Sequence, residues 1–413
     1  MSRYAAIKGI TKLRGSDLRG LSKLVHQLTL DITEVTEGVH QAVYTTLGMP
    51  HGTSSRKCCG LTGSIYRLIY GTTNVVGSGV DKLFAYNETR IKSIDSRDAY
   101  DPQRLATLSF LNGIIGDRFV ADGNPLALPM TIFYGKQPLD ATNVSAVDLP
   151  TNKVLLMVHG LCSSPLHWEG LAQQQSHSEA LVSAHGYTPL HLHYNSGLHV
   201  SQNGQALAVQ LEQVVHQWPV TIEDLTFIGH SMGGLVIRSA LYYAEKLGLS
   251  WHKSVKHAFF LGTPHKGAPL ERAGNTLAAM LERVPYTVAF SKLTRLRSAG
   301  VTDLRYGYIR DDDWQSSCRF TAPVERPQVI ALPTYIRTYA VGSIIQKAHN
   351  YIADHLVGDG LVPLTSALGE NTNSSRALRF TQTETFQNIH HMELLNHPLV
   401  TRQLLSWLDT SFA

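Results

Sequence analysis

Residues 224–234, Asp-Leu-Thr-Phe-Ile-Gly-His-Ser-Met-Gly-Gly, constrain this chain more than any other stretch. Asp224 to Ile228 reads as a short buried strand, and the apolar-periodic run Leu235 to Leu247 as a helix that starts at once. Between them lies Gly-x-Ser-x-Gly, in which Gly229 and Gly233 let the backbone fold sharply and Ser231 is thrust out at the tip. A bare pattern of this kind arises by chance roughly 0.2 times in a shuffled chain with this glycine content. The context decides against chance: an apolar strand precedes it, and Leu235, Ile237, Leu241 and Ala244 recur at helical spacing after it. A helix N-terminus and the amide of Met232 beside Ser231 favour negative charge there, as a tetrahedral oxyanion requires.

A serine hydroxyl becomes a good nucleophile only when a histidine takes its proton, and that histidine needs a carboxylate to fix its tautomer. In strand-turn-helix sites of this kind the chain order is serine, acid, histidine. The acid is expected after the strand Tyr335 to Val341, where Asp354 and Asp359 follow. Asp359 is preferred, because Gly358 and Gly360 let its carboxylate turn inward while Leu361 and Val362 anchor the loop. Among His390, His391 and His397, His391 is preferred: it directly precedes Met392-Glu393-Leu394-Leu395, where a loop gives way to the terminal helix. His397 falls inside that helical stretch. A second oxyanion donor is expected from His159-Gly160-Leu161, the Leu161 amide pairing with that of Met232. His159 reads as a structural hydrogen-bonder and Cys162 as a small buried residue. His191 and His193 alternate on one strand without a third ligand, so neither a metal nor a cofactor is called for.

A chain of 413 residues accommodates one catalytic domain with substantial additions. Its formal charge of +4 is spread without a basic block, so no nucleic-acid partner is expected. Cys58, Cys59, Cys162 and Cys318 form no disulfide framework, no secretory signal precedes the first helix, and no run is apolar enough to span a membrane. A cytoplasmic location is expected, with peripheral membrane attachment as the alternative. Nothing in the pattern sets an oligomeric state.

Residues 1–121 are expected to form a helical extension, with apolar positions recurring over 17–47, 65–84 and 101–121. Its role is packing against the catalytic domain or a partner subunit, or contact with a lipid surface. Residues 122–413 alternate strands and helices: strands at 130–134, 154–158, 187–194, 224–228, 257–262, 335–341 and 377–381, and helices at 201–218, after Ser231, and 393–408. That alternation predicts an α/β fold, a mostly parallel sheet with helices on both faces and its site at the carboxyl ends of the strands. The interval 267–333 has no convincing core strand and reads as a helical cap, whose Leu277, Leu281, Val284 and Val288 would cover an acyl chain. Asp311-Asp312-Asp313-Trp314 within it reads as a solvated acidic turn.

Five strings, Val-His-Gly-Leu at 158–161, Gly-His-Ser-Met-Gly-Gly at 229–234, Leu-Gly-Thr-Pro-His-Lys-Gly-Ala-Pro at 261–269, Gly-Asp-Gly-Leu-Val-Pro at 358–363 and His-Met-Glu-Leu-Leu at 391–395, together resemble an α/β-hydrolase of the lipase/esterase kind. They are most similar to bacterial lipases grouped with GPI-inositol-deacylase-like proteins, over roughly residues 120–410. The resemblance implies Ser231, Asp359 and His391 as a catalytic triad, the Leu161 and Met232 amides as oxyanion hole, no cofactor, and an ester or lipid substrate. Acyl transfer, thioester hydrolysis and polyester depolymerisation are alternatives for the same triad. A non-catalytic interaction protein on a hydrolase scaffold is the alternative of another class.

Overall fold

The computed structural model describes residues 14–46, 60–87, 101–139, 144, 147–148, 150–169, 175–269, 298–315, 328–345 and 358–410. Within these, eight strands form one sheet: β1 Thr131–Tyr134, β2 Gln137–Leu139, β3 Lys153–Val158, β4 Thr188–His193, β5 Asp224–His230, β6 Val255–Leu261, β7 Arg337–Ile344 and β8 Gln382–Gln387. Their order is β2-β1-β4-β3-β5-β6-β7-β8. β1 runs antiparallel to β2 and β4, and every pairing from β4 to β8 is parallel. The helices are α1 Gly15–Thr46, α2 Gly60–Tyr86, α3 Pro102–Ala121, α4 His177–His185, α5 Val200–Gln217, α6 Met232–Lys246, α7 Ala299–Tyr306, α8 Asp311–Gln315, α9 Leu364–Ala367 and α10 Pro398–Asp409. This is the α/β-hydrolase fold.

The central strands are apolar at successive positions because both faces are covered. Side chains alternate across the sheet, so β3 sends Leu156 and Val158 to one face and Leu155 and Met157 to the other. The first pair joins Phe227, Phe260 and the helices α5 and α6. The second joins Ile228, Phe259, Tyr339 and, from α10, Leu404 and Trp407. Each such side chain, fully buried, contributes about 1.5–3 kcal/mol. The sheet's two faces are thus separate cores, both ending at the carboxyl edge that carries residue 231.

By contacts the chain divides into two compact units, residues 1–101 with 119–127, and residues 102–118 with 128–413. The sequence reading drew its boundary at 121/122; residues 102–118 instead cluster with the sheet. In the first unit α1 and α2 run antiparallel, since Arg19 Nε meets Asp81 Oδ1 at 2.7 Å and His26 Nε2 meets Asn74 Oδ1 at 3.2 Å. The Arg19 bond lowers the Asp81 pKa. Leu24 and Tyr66 are buried, but Val25, Ile32, Leu68 and Val76 are exposed. Among the described residues no helix is long and apolar enough to cross a membrane.

Other differences have local causes. β8 was expected at 377–381 but lies at 382–387. It is a largely exposed edge strand of polar residues, so it carries no apolar signal, whereas Leu378 is buried behind it. α10 starts at Pro398, not Glu393, with His397 as its N-cap accepting from the Leu399 amide at 3.2 Å. β2 and α4 were not anticipated. Leu277, Leu281, Val284 and Val288, with Cys58, Cys59, Cys318 and Asp354, lie outside the described residues. The described part of 267–333 holds α7 and α8. Its acidic run is not a solvated turn: Asp313 is buried, accepts from the Ile309 and Arg310 amides, and binds the Arg310 guanidinium at 2.8 Å. Trp314 stacks on His199 with ring centroids 3.7 Å apart. A neighbouring arginine and two unpaired amides make burial of that carboxylate favourable.

Three buried histidines, His177, His193 and His257, and the half-buried His191 make stability depend on pH. Burial lowers the pKa values of His177, His191, His193 and His257 from 6.5 to about 4. The unfolded chain therefore takes up protons below pH 6.5 that the folded chain resists. Stability is full above about 6.5 and is lost as pH falls toward 4. Calorimetric Tm should be flat from pH 8 to 7 and decline through that window, and His191→Leu should make the decline shallower. An unchanged slope in that variant would place the titration elsewhere.

Candidate active site

Ser231 caps β5 and precedes α6 with φ 53° and ψ −123°. This left-handed region is costly for a non-glycine residue and is held only by its surroundings. Here the Ser231 amide donates to the Leu261 carbonyl of β6 at 2.9 Å. A side chain at Gly233 would collide with the Val158 carbonyl of β3, and one at Gly229 would lie 2.7 Å from Gly234 Cα. The elbow is therefore clamped between two neighbouring strands.

The loop after β7 and the segment after β8 bring the other two residues together. His391 Nδ1 lies 2.7 Å from Asp359 Oδ2, and the His391 amide donates to the Asp359 carbonyl at 3.0 Å. The other carboxylate oxygen, Oδ1, accepts from the amides of Leu361 at 3.1 Å and Val362 at 2.9 Å. Both side chains are buried. Gly358 and Gly360 have φ of 57° and 98°, which turns the carboxylate inward. Below the pair sits Gly262, φ 57°, where a Cβ would lie 3.0 Å from Asp359 Oδ2 and 3.1 Å from His391 Cε1. Gly262 directly follows Leu261, whose carbonyl holds the Ser231 amide, so one strand end adjoins all three residues. Among the described residues no hydrogen bond joins Ser231 Oγ to His391. Such bonds are often long before a substrate tightens them.

Gly160 abuts Ser231, a Cβ there lying 3.0 Å from Ser231 Cβ. The turn that follows uses the Ser163 amide on the Gly160 carbonyl and the Cys162 amide on Ser196 Oγ. Among the described residues nothing in the chain takes the Leu161 amide, and Met232, first in α6, has an amide with no partner inside its helix. Cys162 is buried at φ 57°, and burial pushes its thiol up to about 12.

Two further histidines hold this geometry. His159 Nδ1 donates to the Gly160 carbonyl at 2.8 Å, its ring stacks on Tyr194 at 4.4 Å, and the Tyr194 hydroxyl donates to the His159 carbonyl at 2.7 Å. His230 Nε2 donates to the His391 carbonyl at 2.9 Å, and the two rings lie 4.6 Å apart. Burial, and then the neighbouring His193 and His391 respectively, hold both pKa values well below the usual range. Sequence reasoning found His159 but missed His230, because the x positions of Gly-x-Ser-x-Gly carry no periodic signal. It also missed Gly113 of α3, where a side chain would collide with Cys162. A glycine inside a helical pattern, as in Asn112-Gly113-Ile114, was the available signal. His193, which alternates with His191 on β4, lies 2.8 Å from Ser109 Oγ through Nε2.

With strand order and site in view, comparison with known proteins narrows the class. A family model described as the PGAP1-like alpha/beta domain matches residues 150–334, from β3 to the approach of β7. Over that span the chain is similar to this family, and its strand order is that of the α/β-hydrolase fold. No curated protein matches it. Among solved structures it is similar to a thioesterase of the prodiginine pathway in Streptomyces coelicolor, at 13% identity over 64% of this chain and 94% of that one, TM-score 0.36. It is also similar to a Rhizomucor miehei esterase at 14% identity over 68% of this chain and 78% of that one, TM-score 0.37. A third is a Pyrobaculum calidifontis esterase, at 12% identity over 76% of this chain and 93% of that one, TM-score 0.37.

Gly262→Ala tests the packing below the acid–histidine pair. It adds left-handed strain of about 1 kcal/mol and crowds Asp359, His391 and Leu394. Tm should fall by several degrees, and the downfield proton NMR signal of the Asp359-bound His391 Nδ1–H should shift or vanish. A variant unchanged in both would mean the pair is not seated against residue 262.

Proposed function

We propose that the protein is a serine esterase that cleaves carboxylic esters of lipid or acyl type through an acyl-Ser231 intermediate. His391 Nε2 takes the Ser231 hydroxyl proton as oxygen attacks the ester carbonyl, and returns it to the leaving alcohol. Water then repeats the sequence on the acyl-enzyme. Asp359 fixes the tautomer with Nε2 free and compensates the charge of the imidazolium. The amides of Leu161 and Met232 stabilise the oxyanion. The observation that carries this reading is the 2.7 Å Asp359–His391 contact beside a serine held at φ 53°.

Ser231→Ala should lower kcat for a soluble aryl ester by about 10³-fold or more with an unchanged circular dichroism spectrum. A fluorophosphonate probe should label wild type at Ser231 and leave the variant unlabelled. Near-wild-type turnover by the variant would remove the nucleophile assignment. Each buried methylene contributes up to about 0.8 kcal/mol, so kcat/KM should rise across esters of increasing chain length if the substrate is a lipid. Added alcohol acceptors separate hydrolysis from acyl transfer.

Contact with a lipid surface is part of the same reading. Its support is the set of exposed apolar side chains on α1 and α2, among them Val25, Ile32, Leu68 and Val76. Wild type should float with phosphatidylcholine vesicles, and a variant carrying Ser at Val25, Ile32, Leu68 and Val76 should float less. Equal flotation would remove these residues from the contact.

A further inference from the structure

Beyond the carboxyl end of β6 a cavity of about 360 Å³ opens, lined by Arg238 of α6, His265, Lys266, Arg305 of α7 and Arg376 among others. None of Ser231, Asp359 and His391 lines it. Among the described residues four of its lining side chains are cationic and none is a carboxylate. A cavity so lined concentrates positive potential in a space that water fills.

One group in it is left in need of an anion. Arg238 is only 6% exposed. Its guanidinium donates to His265 Nδ1 at 3.3 Å and to the Ile330 carbonyl at 3.1 Å, both uncharged acceptors. Asp313 is near enough for its charge to be felt, but its oxygens are taken by Arg310 and by the Ile309 and Arg310 amides. A buried cation without a hydrogen-bonded carboxylate is costly unless something else compensates it. Burial lowers the Arg238 pKa to about 10, the mark of that cost.

The contact with Arg238 also fixes the His265 tautomer. A guanidinium can only donate, so His265 Nδ1 must accept, and the proton of the neutral ring lies on Nε2. Burial, then the charge of Arg238, keep the ring neutral. Among the described residues Nε2, on the ring edge opposite Arg238, is buried with no hydrogen-bond partner. A buried N–H donor without an acceptor is a cost of its own. The Arg238 deficit is met by a ligand with several acceptor oxygens and negative charge in the cavity.

We propose that this cavity binds a phosphate group, free or as a phosphate ester, on the Arg238 guanidinium. The planar fork of arginine matches tetrahedral oxyanions. Lys266, which donates to the Glu370 carbonyl, and Arg305 and Arg376 add charge around it. The remaining volume admits a small substituent on the phosphate beyond the oxyanion itself.

The full chain would be titrated calorimetrically with sodium phosphate and with sodium chloride at matched ionic strength. Saturable heat is expected for phosphate alone, with a Tm that rises as phosphate is added. Arg305→Gln and Arg376→Gln should each weaken binding about five-fold, and their combination about twenty-five-fold if they act independently. Arg238→Met should abolish it; should that variant fail to fold, the two other variants still decide. Glycerol 3-phosphate binding as tightly as phosphate or tighter points to a soluble phosphate ester. Binding confined to phosphatidylcholine vesicles that contain phosphatidic acid points to a lipid headgroup. Phosphate indistinguishable from chloride in every arm, or Arg305→Gln and Arg376→Gln variants that bind like wild type, would overturn the proposal.

Discussion

The strained backbone at Ser231 sets the terms for the surrounding structure. A φ of 53° on a residue with a Cβ persists only where neighbours leave no easier conformation. β3 supplies one wall through the Val158 carbonyl against Gly233, and β6 the other through the Leu261 carbonyl on the Ser231 amide. Parallel pairing of β3, β5 and β6 places these strand ends side by side. The two apolar cores hold the sheet rigid beneath them, so burial at a distance maintains the strain at the tip.

That dependence explains what was legible in the sequence. A turn this tight admits few residues, so Gly229, Gly233 and Gly234 write it into the chain. The same holds for Asp359 between two glycines whose positive φ values a side chain would resist. Apolar central strands were readable because covered faces demand them. Polar edge β8 was not, since half of its backbone pairing and most of its side chains face away from the core. The docking of α3 also escaped. Its residues 102–118 have the same amphipathic period as the helices before them, and periodicity says that a face is buried without saying against what.

The polar knobs that fasten α7 and α8 follow another rule. Asp303 and Asp313 are buried because backbone amides and nearby bases supply enough donors. Asp303 accepts from the Val200 amide at 2.7 Å and pairs with His199 at 3.0 Å. Burial still raises its pKa, with His199 opposing. A sequence shows carboxylates in a row but not which amides they meet, so the solvated reading of 311–314 was the natural default. Satisfied buried carboxylates give these short helices a defined seat where apolar contact alone would leave them free to slide.

Among 20 histidines, the local chemistry separates one from those around it. His159 and His230 both lie close to the elbow and both spend their N–H on a carbonyl, at Gly160 and at His391. A carbonyl dipole cannot balance an imidazolium in a dry setting, and burial holds both rings neutral. His391 alone of the three meets a carboxylate, whose second oxygen is already fixed by two amides. A proton arriving on His391 Nε2 would therefore be balanced by Asp359, while one arriving on either neighbour would not. Under the proposed mechanism this makes the proton's destination a consequence of who faces the carboxylate, rather than of which ring lies nearest to Ser231. The neutral pair serves by staying neutral: His230 holds the His391 backbone, His159 holds the turn that presents the Leu161 amide, and neither adds a positive charge that would repel the imidazolium as it forms.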